Sequence, residues 1–319
     1  MKPPKFWFKA PEQFDLRTLL LAPLAKLYAA GTAKRLANGG REKMDVPIIC
    51  VGNVNVGGTG KTPTVIALLE ILQTINKKAA VISRGYKGSL DGPVKVNGDR
   101  HKASQVGDEP ILLSAFADVW VAKDRLKGAE AAVDAGAEIL ILDDGLQNPS
   151  LSYDLTICVV DAEIRFGNGR VMPAGPLREP AKVGLARSDM VVSIGGAFDQ
   201  TDLPVLPATL APIEMGMDWS DTYAVAFAGI GRPDKFFNTL RGLGATLVAT
   251  HAFDDHEPYS EMILSRLERE AFQKAAILVT TEKDAARLPP DWRHMVLSLP
   301  VRLKFEDDAP LRSAIKSLF

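Results

Sequence analysis

A glycine-rich segment between residues 48 and 64 is the part of the chain whose residue types and spacing point most directly to chemistry. An apolar run is followed there by several glycines and by Gly60-Lys61-Thr62, and a helical pattern comes next. Glycines let backbone N–H groups close around phosphate oxygens, the lysine ammonium reaches the β- and γ-phosphates, and the threonine hydroxyl suits Mg²⁺. The segment therefore predicts a nucleotide-phosphate loop formed by Asn55, Val56, Gly57, Gly58, Thr59, Gly60, Lys61 and Thr62.

Asn55 stands at the first position of this loop, where the usual pattern has glycine. Among residues with a side chain, asparagine tolerates positive φ best, so we expect Asn55 to adopt that conformation and preserve the loop. Pro63 fits the first turn of the following helix, where its missing N–H costs nothing.

Acidic residues at two other places supply what phosphate chemistry needs. Asp143 and Asp144 follow the apolar run 139–142, and the carboxyl end of a parallel strand borders the crevice in which such folds bind ligands. An ordinary Asp-Gly turn is the alternative, but the paired carboxylates favour metal or water positioning. Asp108 and Glu109 lie on a turn before a helix, where one can accept a hydroxyl proton and the other can reach Mg²⁺.

Two further segments carry aromatic and basic groups that suit a substrate. Tyr86 lies in the segment 83–88, directly after a predicted strand. The segment 167–180 is rich in glycine and proline and contains Arg170 and Arg178. A long rigid loop is more often functional than idle, and guanidinium groups suit an anionic acceptor.

Short β-branched runs alternate with helical stretches from residue 46 onward, which predicts the elements that position these residues. Continuous apolar strands separated by helices indicate a mainly parallel sheet covered by helices on both faces. With the phosphate loop, the prediction is an α/β, P-loop NTPase-like fold with a second, smaller α/β domain. The proline-rich stretch 203–212 is the predicted linker, and the predicted divisions are an N-terminal helical segment 1–45, a P-loop core domain 46–218 and a smaller C-terminal domain 219–319.

The N-terminal segment predicts an amphipathic helix over residues 14–36, with Leu20, Leu24, Leu27 and Tyr28 on one face. Residues 1–45 contain nine Lys or Arg and four acidic residues, a local charge of +5. A basic amphipathic helix can lie on an anionic membrane surface, yet any surface helix packed on a domain is amphipathic as well. Both interpretations remain open from the residues alone. A membrane span is excluded because the apolar stretch is far shorter than ~20 residues.

The composition limits the classes of protein to which the chain can belong. Its 319 residues include 38 Lys+Arg and 39 Asp+Glu, and 46% of them are hydrophobic. These values are typical of a soluble globular enzyme, and the near-zero net charge argues against a nucleic-acid partner. The two cysteines, Cys50 and Cys158, lie in separate apolar runs, so we interpret them as buried core residues of a protein from a reducing compartment.

A phosphate loop alone does not distinguish a kinase from an ATPase or GTPase that switches a protein partner. Many such switches have lysine directly before the double glycine, where this chain has Val56. A kinase of a soluble small molecule would not need the amphipathic N-terminus or the arginine-bearing loop. A pure binding module would not need Asp108 and Glu109 beside a phosphate loop.

Taken in chain order, the motifs resemble those of the tetraacyldisaccharide 4′-kinase family of lipid A biosynthesis. The resemblance implies transfer of the γ-phosphate of ATP, with Mg²⁺, to the 4′-hydroxyl of an acylated glucosamine disaccharide 1-phosphate at the cytoplasmic face of the bacterial inner membrane. It also favours the membrane interpretation of the N-terminal helix, and no obligatory protein partner is expected. The matching segments are 51–53, 57–63, 83–86, 107–110, 143–147, 173–179, 253–256 and 280–284.

The same resemblance implies roles for individual residues. Asp108 would be the base on the 4′-hydroxyl with His256 as its partner, and Lys61 would bind the phosphates. A histidine of the second domain that reaches an aspartate of the first would complete the base only on domain closure. The metal ion would be surrounded by Thr62, Glu109, Asp143, Asp144 and Gln147. Apart from the roles that the resemblance implies, we predict that the acceptor is bound by Tyr86, Asn168, Arg170 and Arg178.

Overall fold

A computed structural model of the chain describes residues 3–214 and 216–319, which fold around a larger and a smaller β-sheet. The strands of the larger sheet are β1 Ile48–Gly52, β2 Ala79–Ser83, β3 Val94–Lys95, β4 Asp118–Val121, β5 Ile139–Asp143, β6 Leu155–Asp161, β7 Met190–Ile194, β8 Val205–Pro212 and β13 Val301–Phe305. Those of the smaller sheet are β9 Tyr223–Ala228, β10 Thr246–Ala252, β11 Ile277–Thr281 and β12 Leu297–Leu299.

Helices cover the faces of both sheets, as the alternation of elements along the chain predicts. The helices are α1 Leu16–Ala37, α2 Lys61–Thr74, α3 Ala103–Val106, α4 Asp108–Leu113, α5 Arg125–Asp134, α6 Ala181–Leu185, α7 Pro233–Gly242, α8 Glu261–Gln273, α9 Glu282–Ala285 and α10 Ala309–Lys316.

The larger sheet has the strand order β13-β8-β7-β6-β1-β5-β2-β4-β3. Its strands are parallel except β3 and β13, which run antiparallel to their neighbours at the two edges. The three central strands β6, β1 and β5 are buried along their whole length, as expected of runs of Ile, Leu and Val with helices on both faces. The strand order changes direction at β1, so the crevice beyond its carboxyl end is where an α/β sheet binds ligands.

The smaller sheet is parallel, with the order β10-β9-β11-β12. Helix α7 packs Phe236, Phe237 and Leu240 on one face, and helix α8 packs Leu264 and Leu267 on the other. This part of the chain is therefore a small layered α/β unit with its own core.

The proline-rich stretch 203–212 is not the predicted linker, because it contains strand β8. Leu206 and Ala208 alternate into the core, and the strand pairs with β7 on one side and with β13 on the other. Its prolines conceal this alternation in the sequence. They are tolerated because each lies beyond the end of one ladder: Pro207 lies just outside the pairing with β13, and Pro212 lies past the end of the pairing with β7.

The last part of the predicted domain 219–319 also needs correction. Strand β13 pairs with β8, and Leu303, Leu311 and Ile315 belong to the core of the larger sheet. The smaller unit is thus inserted between two strands of the larger sheet. Only Pro300 separates β12 from β13, and its carbonyl accepts a hydrogen bond of 3.0 Å from the N–H of Ile213 on the outgoing connection.

Helix α1 is present close to the predicted position, and its N-cap residue Asp15 accepts a hydrogen bond from the N–H of Arg17. The helix packs through its other side, where Ala25 and Thr32 are buried. The predicted apolar face is not covered: Leu20, Leu24, Leu27 and Tyr28 are 68%, 54%, 70% and 40% exposed. The structure therefore does not support the interpretation in which this face covers a domain.

No helix within the described part of the chain has the length and hydropathy needed to cross a lipid bilayer. Cys50 and Cys158 are buried free thiols, as predicted.

Candidate active site

The glycine-rich segment forms a loop between β1 and α2, at the carboxyl end of the central strand. Gly60 is the N-cap of α2 and has φ +95°, a left-handed conformation that favours glycine over residues with a side chain. The Lys61 ammonium lies 3.3 Å from Oδ1 of Asn53 and 3.6 Å from a carboxylate oxygen of Asp144. The loop thus presents a nearly buried cation beside the start of a helix, which is the arrangement that binds phosphates.

The expectation of positive φ at Asn55 is wrong, because this residue is not among those with a left-handed backbone. Its side-chain amide instead donates a hydrogen bond of 2.9 Å to the carbonyl of Arg165. Asparagine at this position therefore anchors the loop through its side chain. A sequence pattern that considers only backbone conformation does not predict such a contact.

Asp143 lies at the end of β5, buried beneath the crevice. Its Oδ2 accepts a hydrogen bond of 3.3 Å from the hydroxyl of Ser83, whereas its Oδ1 is buried without a hydrogen-bond partner. Burial, together with the negative charges of Glu109 and Asp144, raises the pKa of Asp143 to about 7. A buried carboxyl with a free oxygen and a raised pKa is a typical feature of a functional site.

Asp144 follows with φ +55°, an uncommon conformation for a residue with a side chain. Burial acts to raise the pKa of this carboxyl, but the charges of Lys61 and Arg178 outweigh it and hold the pKa well below its usual range. Both oxygens accept from Nη1 of Arg178 at 2.9 Å. Asp144 is therefore ionised and fixes two cations next to the phosphate loop.

Arg178, which is predicted to bind the acceptor, lies in the acidic cluster beside the phosphate loop. Besides Asp144, it contacts the side-chain oxygen of Gln147 at 3.2 Å. The Gln147 amide nitrogen donates to the carbonyl of Asn53 and to the buried carboxylate of Glu179, both at 2.9 Å. The Gln147 amide is thus fully engaged with protein groups.

Asp108 and His256 come from different units and meet at the crevice. Asp108 is the first residue of α4, His256 lies in the loop after β10 with φ +63°, and its Nδ1 is 2.7 Å from Oδ2 of Asp108. Burial acts to raise the pKa of Asp108, but the hydrogen bond from His256 and the charges of Lys283 and Arg287 outweigh it and lower this pKa. The structure brings the predicted pair together, and their catalytic roles remain predictions.

The remaining predicted residues do not form a single acceptor site with Arg178. Tyr86 packs edge-on against the His256 ring, with the ring centres 5.6 Å apart. Asn168 is buried and uses its amide to hold the carbonyl of Ala174 and the N–H of Arg170. Arg170 is exposed and lines a cavity of about 230 Å³ beside the N-terminal segment, so the four residues divide among three places.

Three side chains with no predicted role also contribute to this region. Asn53 holds Lys61 and the Thr59 hydroxyl, and Lys283 lies 3.2 Å from the Glu109 carboxylate. The Nε of buried Arg287 lies 3.7 Å from Oδ2 of Asp108. Asn53 and Lys283 belong to segments that carry the family resemblance, which is a usable signal, whereas no motif includes Arg287.

In residues 3–214 and 216–319, no group of three or more His, Cys, Asp or Glu side chains forms a site that could hold a metal ion by itself. A cation at this crevice would need further oxygen ligands from a bound phosphate, which is how Mg²⁺ binds in kinases.

The parallel sheet, the glycine-rich loop before α2 and the acidic strand end beside it define an α/β protein of the P-loop NTPase-like class. More specifically, the chain belongs to the tetraacyldisaccharide-1-P 4′-kinase (LpxK) family, whose family model matches residues 17–319. The predicted family, fold class and enzyme class, a kinase with a hydroxyl group as acceptor, are therefore confirmed.

Relatives resemble the chain over its whole length. A tetraacyldisaccharide 4′-kinase from Dinoroseobacter shibae is 53% identical, covering 100% of this chain and 98% of the relative. One from a Jannaschia species is 52% identical, covering 99% and 98%. A solved structure, described as the "apo" form of LpxK from Aquifex aeolicus in complex with ATP, has a TM-score of 0.81 and 29% identity and covers 96% of this chain and 100% of that one.

Proposed function

We propose that the protein transfers the γ-phosphate of ATP to the 4′-hydroxyl of tetraacyldisaccharide 1-phosphate, giving the bisphosphorylated lipid A precursor lipid IVA. The observation that carries this proposal is the 2.7 Å contact between Asp108 and His256 at the crevice that holds the phosphate loop. An ATPase switch has no need for such a pair, whereas a kinase needs a base for the hydroxyl of its acceptor. Family membership supports the choice of acceptor.

ATP is the proposed phosphate donor, and the ATP complex of the solved relative supports this choice. The backbone N–H groups of 55–60 would surround the β- and γ-phosphates, and the Lys61 ammonium would neutralise their charge. Arg178, fixed next to Lys61 by Asp144, adds a second cation on the same side of the crevice. Such preorganised charges stabilise a transferring phosphoryl group without reorganisation during the reaction.

Asp108 is the proposed base. As the hydroxyl oxygen of the acceptor bonds to the γ-phosphorus, the bond from that phosphorus to the bridging oxygen of ADP breaks, and the hydroxyl proton passes to the Asp108 carboxylate. The lowered pKa of Asp108 keeps this carboxylate ionised before the reaction. His256 donates a hydrogen bond to it and orients it.

Mg²⁺ is the proposed metal, and the available oxygen donors fit it. The unpartnered Oδ1 of Asp143 and the Thr62 hydroxyl are hard ligands of the kind that Mg²⁺ prefers. The Asp144 carboxylate is a hard ligand as well, but it is already paired with Lys61 and Arg178. Glu109 and Gln147 fit less well, because the first is paired with Lys283 and the amide of the second is engaged. When bound, the ion would neutralise charge on the phosphates.

Proton competition at Asp143 gives a testable pH dependence. Because the pKa of this carboxyl is raised to about 7, it is protonated at lower pH and ionised at higher pH. We expect the Mg²⁺ concentration for half-maximal ATP binding to rise by up to about tenfold per pH unit below 7. This Mg²⁺ concentration can be measured by calorimetry at several pH values between 6 and 8, for the native protein and for Asp143→Asn. Protonation of ATP itself affects both proteins equally, so the difference between them reports on Asp143. An equal pH dependence in the two proteins would contradict the assignment.

The direct test of the proposed function is transfer of label from [γ-³²P]ATP to tetraacyldisaccharide 1-phosphate in detergent with Mg²⁺. We expect a labelled bisphosphorylated lipid that forms only when the acceptor is present. Lys61→Ala should lower its formation by about 10²–10³-fold, because a preorganised charge at the transferring group is lost. Release of labelled phosphate without a lipid product would instead favour an ATPase switch.

The membrane surface is the proposed location of the enzyme, at the cytoplasmic face of the inner membrane. In α1, the exposed leucines are accompanied by Arg17, Lys26, Lys34 and Arg35, all of them exposed. Exposed apolar side chains next to basic ones are the features that hold a helix at an anionic lipid surface. Residues of α1 border the cavity that Arg170 lines, so a guanidinium close to this helix supports the proposed contact with anionic lipids.

A further inference from the structure

Helix α9 of the smaller unit brings a lysine to the far side of the His256 ring from Asp108. The Lys283 ammonium lies 3.3 Å from Nε2 of His256, while Nδ1 of the same ring contacts Asp108. It is also 3.2 Å from the Glu109 carboxylate and 3.5 Å from that of Asp255. The imidazole is therefore held between a carboxylate and an ammonium.

The chemistry of these two neighbours determines which ring nitrogen carries the proton. An ionised carboxylate only accepts hydrogen bonds, and a lysine ammonium only donates them. Nδ1 must therefore donate to Asp108, and Nε2 must offer its lone pair to Lys283. We infer that Lys283 is a positioning residue that holds neutral His256 in the Nδ1–H tautomer, so that its proton is directed at Asp108.

The other groups around the ring do not reverse this assignment. Asp255 is the competing acceptor at Nε2, but its Oδ2 is 3.6 Å away, which is too far for a hydrogen bond. Tyr86 meets the ring edge-on and so limits its rotation. Burial acts to lower the pKa of Lys283, but the charges of Glu109, Asp108 and Asp255 outweigh it and raise this pKa, so the ammonium remains a donor.

The position of α9 is itself fixed by a fully buried carboxylate, that of Asp284. It accepts hydrogen bonds from the N–H of Gly229 at 3.0 Å and from the hydroxyls of Tyr259 at 2.7 Å and Thr281 at 2.6 Å. The carbonyl of Gly229 accepts in turn from the N–H of His256 at 3.2 Å. The same network thus fixes the backbone of His256 and the helix that carries Lys283.

The tautomer can be measured without any substrate. We expect ¹⁵N-detected NMR of the native protein to show the His256 ring protonated at Nδ1, with the signal assigned by its loss in His256→Gln among the four histidines. In Lys283→Met we expect Nε2 to become protonated as well, because its lone pair no longer faces an ammonium while Nδ1 still faces the Asp108 carboxylate. A native ring protonated at Nε2 or at both nitrogens, or a ring whose protonation is unchanged in Lys283→Met, would overturn the inference.

The consequence for turnover rests on the proposed function and is measured separately. We expect Lys283→Met to lower kcat by about 10–100-fold, part of the 10²–10⁴-fold that a general base contributes, with little change in the KM for ATP. Lys283→Arg, which keeps a cationic N–H donor, should recover part of this loss. The matched control is Lys274→Met, which removes an ion-paired lysine from the surface of the same unit. This variant should leave kcat and the KM for ATP unchanged.

The proposed function and the positioning role of Lys283 can be contradicted independently of each other. If the native protein transfers no phosphate to the lipid, the proposed function fails while the tautomer can still be read by NMR. If the native protein is active and Lys283→Met keeps full kcat, the positioning role fails and the proposed function stands.

Discussion

Asp108→Asn is expected to lower the rate of phosphoryl transfer by about 10²–10⁴-fold while leaving ATP affinity nearly unchanged. The amide has the shape of the carboxylate and still accepts the hydrogen bond from His256, but it cannot take a proton from the acceptor hydroxyl. Asp108→Ala should be at least as slow, because the Nδ1–H group of His256 then also loses its hydrogen-bond acceptor. Single-turnover transfer and calorimetric ATP binding, each on the native protein and both variants, provide the comparison.

The lowered pKa of Asp108 determines how the native rate should depend on pH. A base with a lowered pKa remains ionised down to unusually acidic solution, so protonation of Asp108 should not reduce the rate between pH 6 and 8. Asp91→Asn, which alters an exposed aspartate paired with Lys123, is the control for general effects of charge removal. If Asp108→Asn lost ATP binding as severely as turnover, Asp108 would be a structural or metal-binding residue and the base assignment would fail.

Replacing Leu20, Leu24 and Leu27 of α1 by serine is expected to weaken binding to anionic vesicles by about 10³-fold. Each leucine contributes about 1.5–3 kcal/mol when its side chain leaves water, so three of them account for a loss of at least this size. In the folded protein these side chains are largely exposed, so the free energy of unfolding should change little. Vesicle flotation with phosphatidylglycerol-containing and purely zwitterionic vesicles measures the binding.

The matched control for α1 is the double variant Met262→Ser/Phe272→Ser in α8, where the side chains are 79% and 85% exposed. It removes exposed apolar surface from the smaller unit and should leave vesicle binding intact. Activity toward the acceptor in detergent should survive in the α1 variant, because the phosphate loop and Asp108 are untouched. Unchanged flotation of the α1 variant would contradict the proposed membrane contact.

The sequence predicts the strands of this protein well where burial is complete. Apolar runs such as 139–142 and 190–194 are short and lie in strands whose side chains are all buried, as expected for a parallel sheet covered by helices on both faces. Strand β8 was missed because proline is an ordinary sign of a linker, and the strand that pairs with it lies about 90 residues further along the chain. Pairing over such a separation has no local signature.

In the site as well, features set by neighbouring residues were predicted, whereas contacts between distant segments were not. The phosphate loop and the strand end at Asp143 are local patterns and were predicted as such. The pairing of Arg178 with Asp144 and of Lys283 with His256 depends on how separate segments fold against each other. The prediction for Asn55 is wrong for a different reason. It attributes the asparagine to a left-handed backbone, whereas the side-chain amide donates a hydrogen bond to the carbonyl of Arg165.

The insertion of the smaller unit at a narrow neck restricts how it can move. A connection of one residue, Pro300, reaches only about 3.5 Å, so β12 cannot slide away from β13. The N–H of Val301 also bonds the carboxylate of Glu282 at 3.2 Å, which ties α9 to the same neck. If the crevice opens, this neck restricts the opening to a rotation about an axis near Pro300 and Ile213, with small displacements close to that axis. A closing rotation of this kind would return His256 along one arc to the same place beside Asp108.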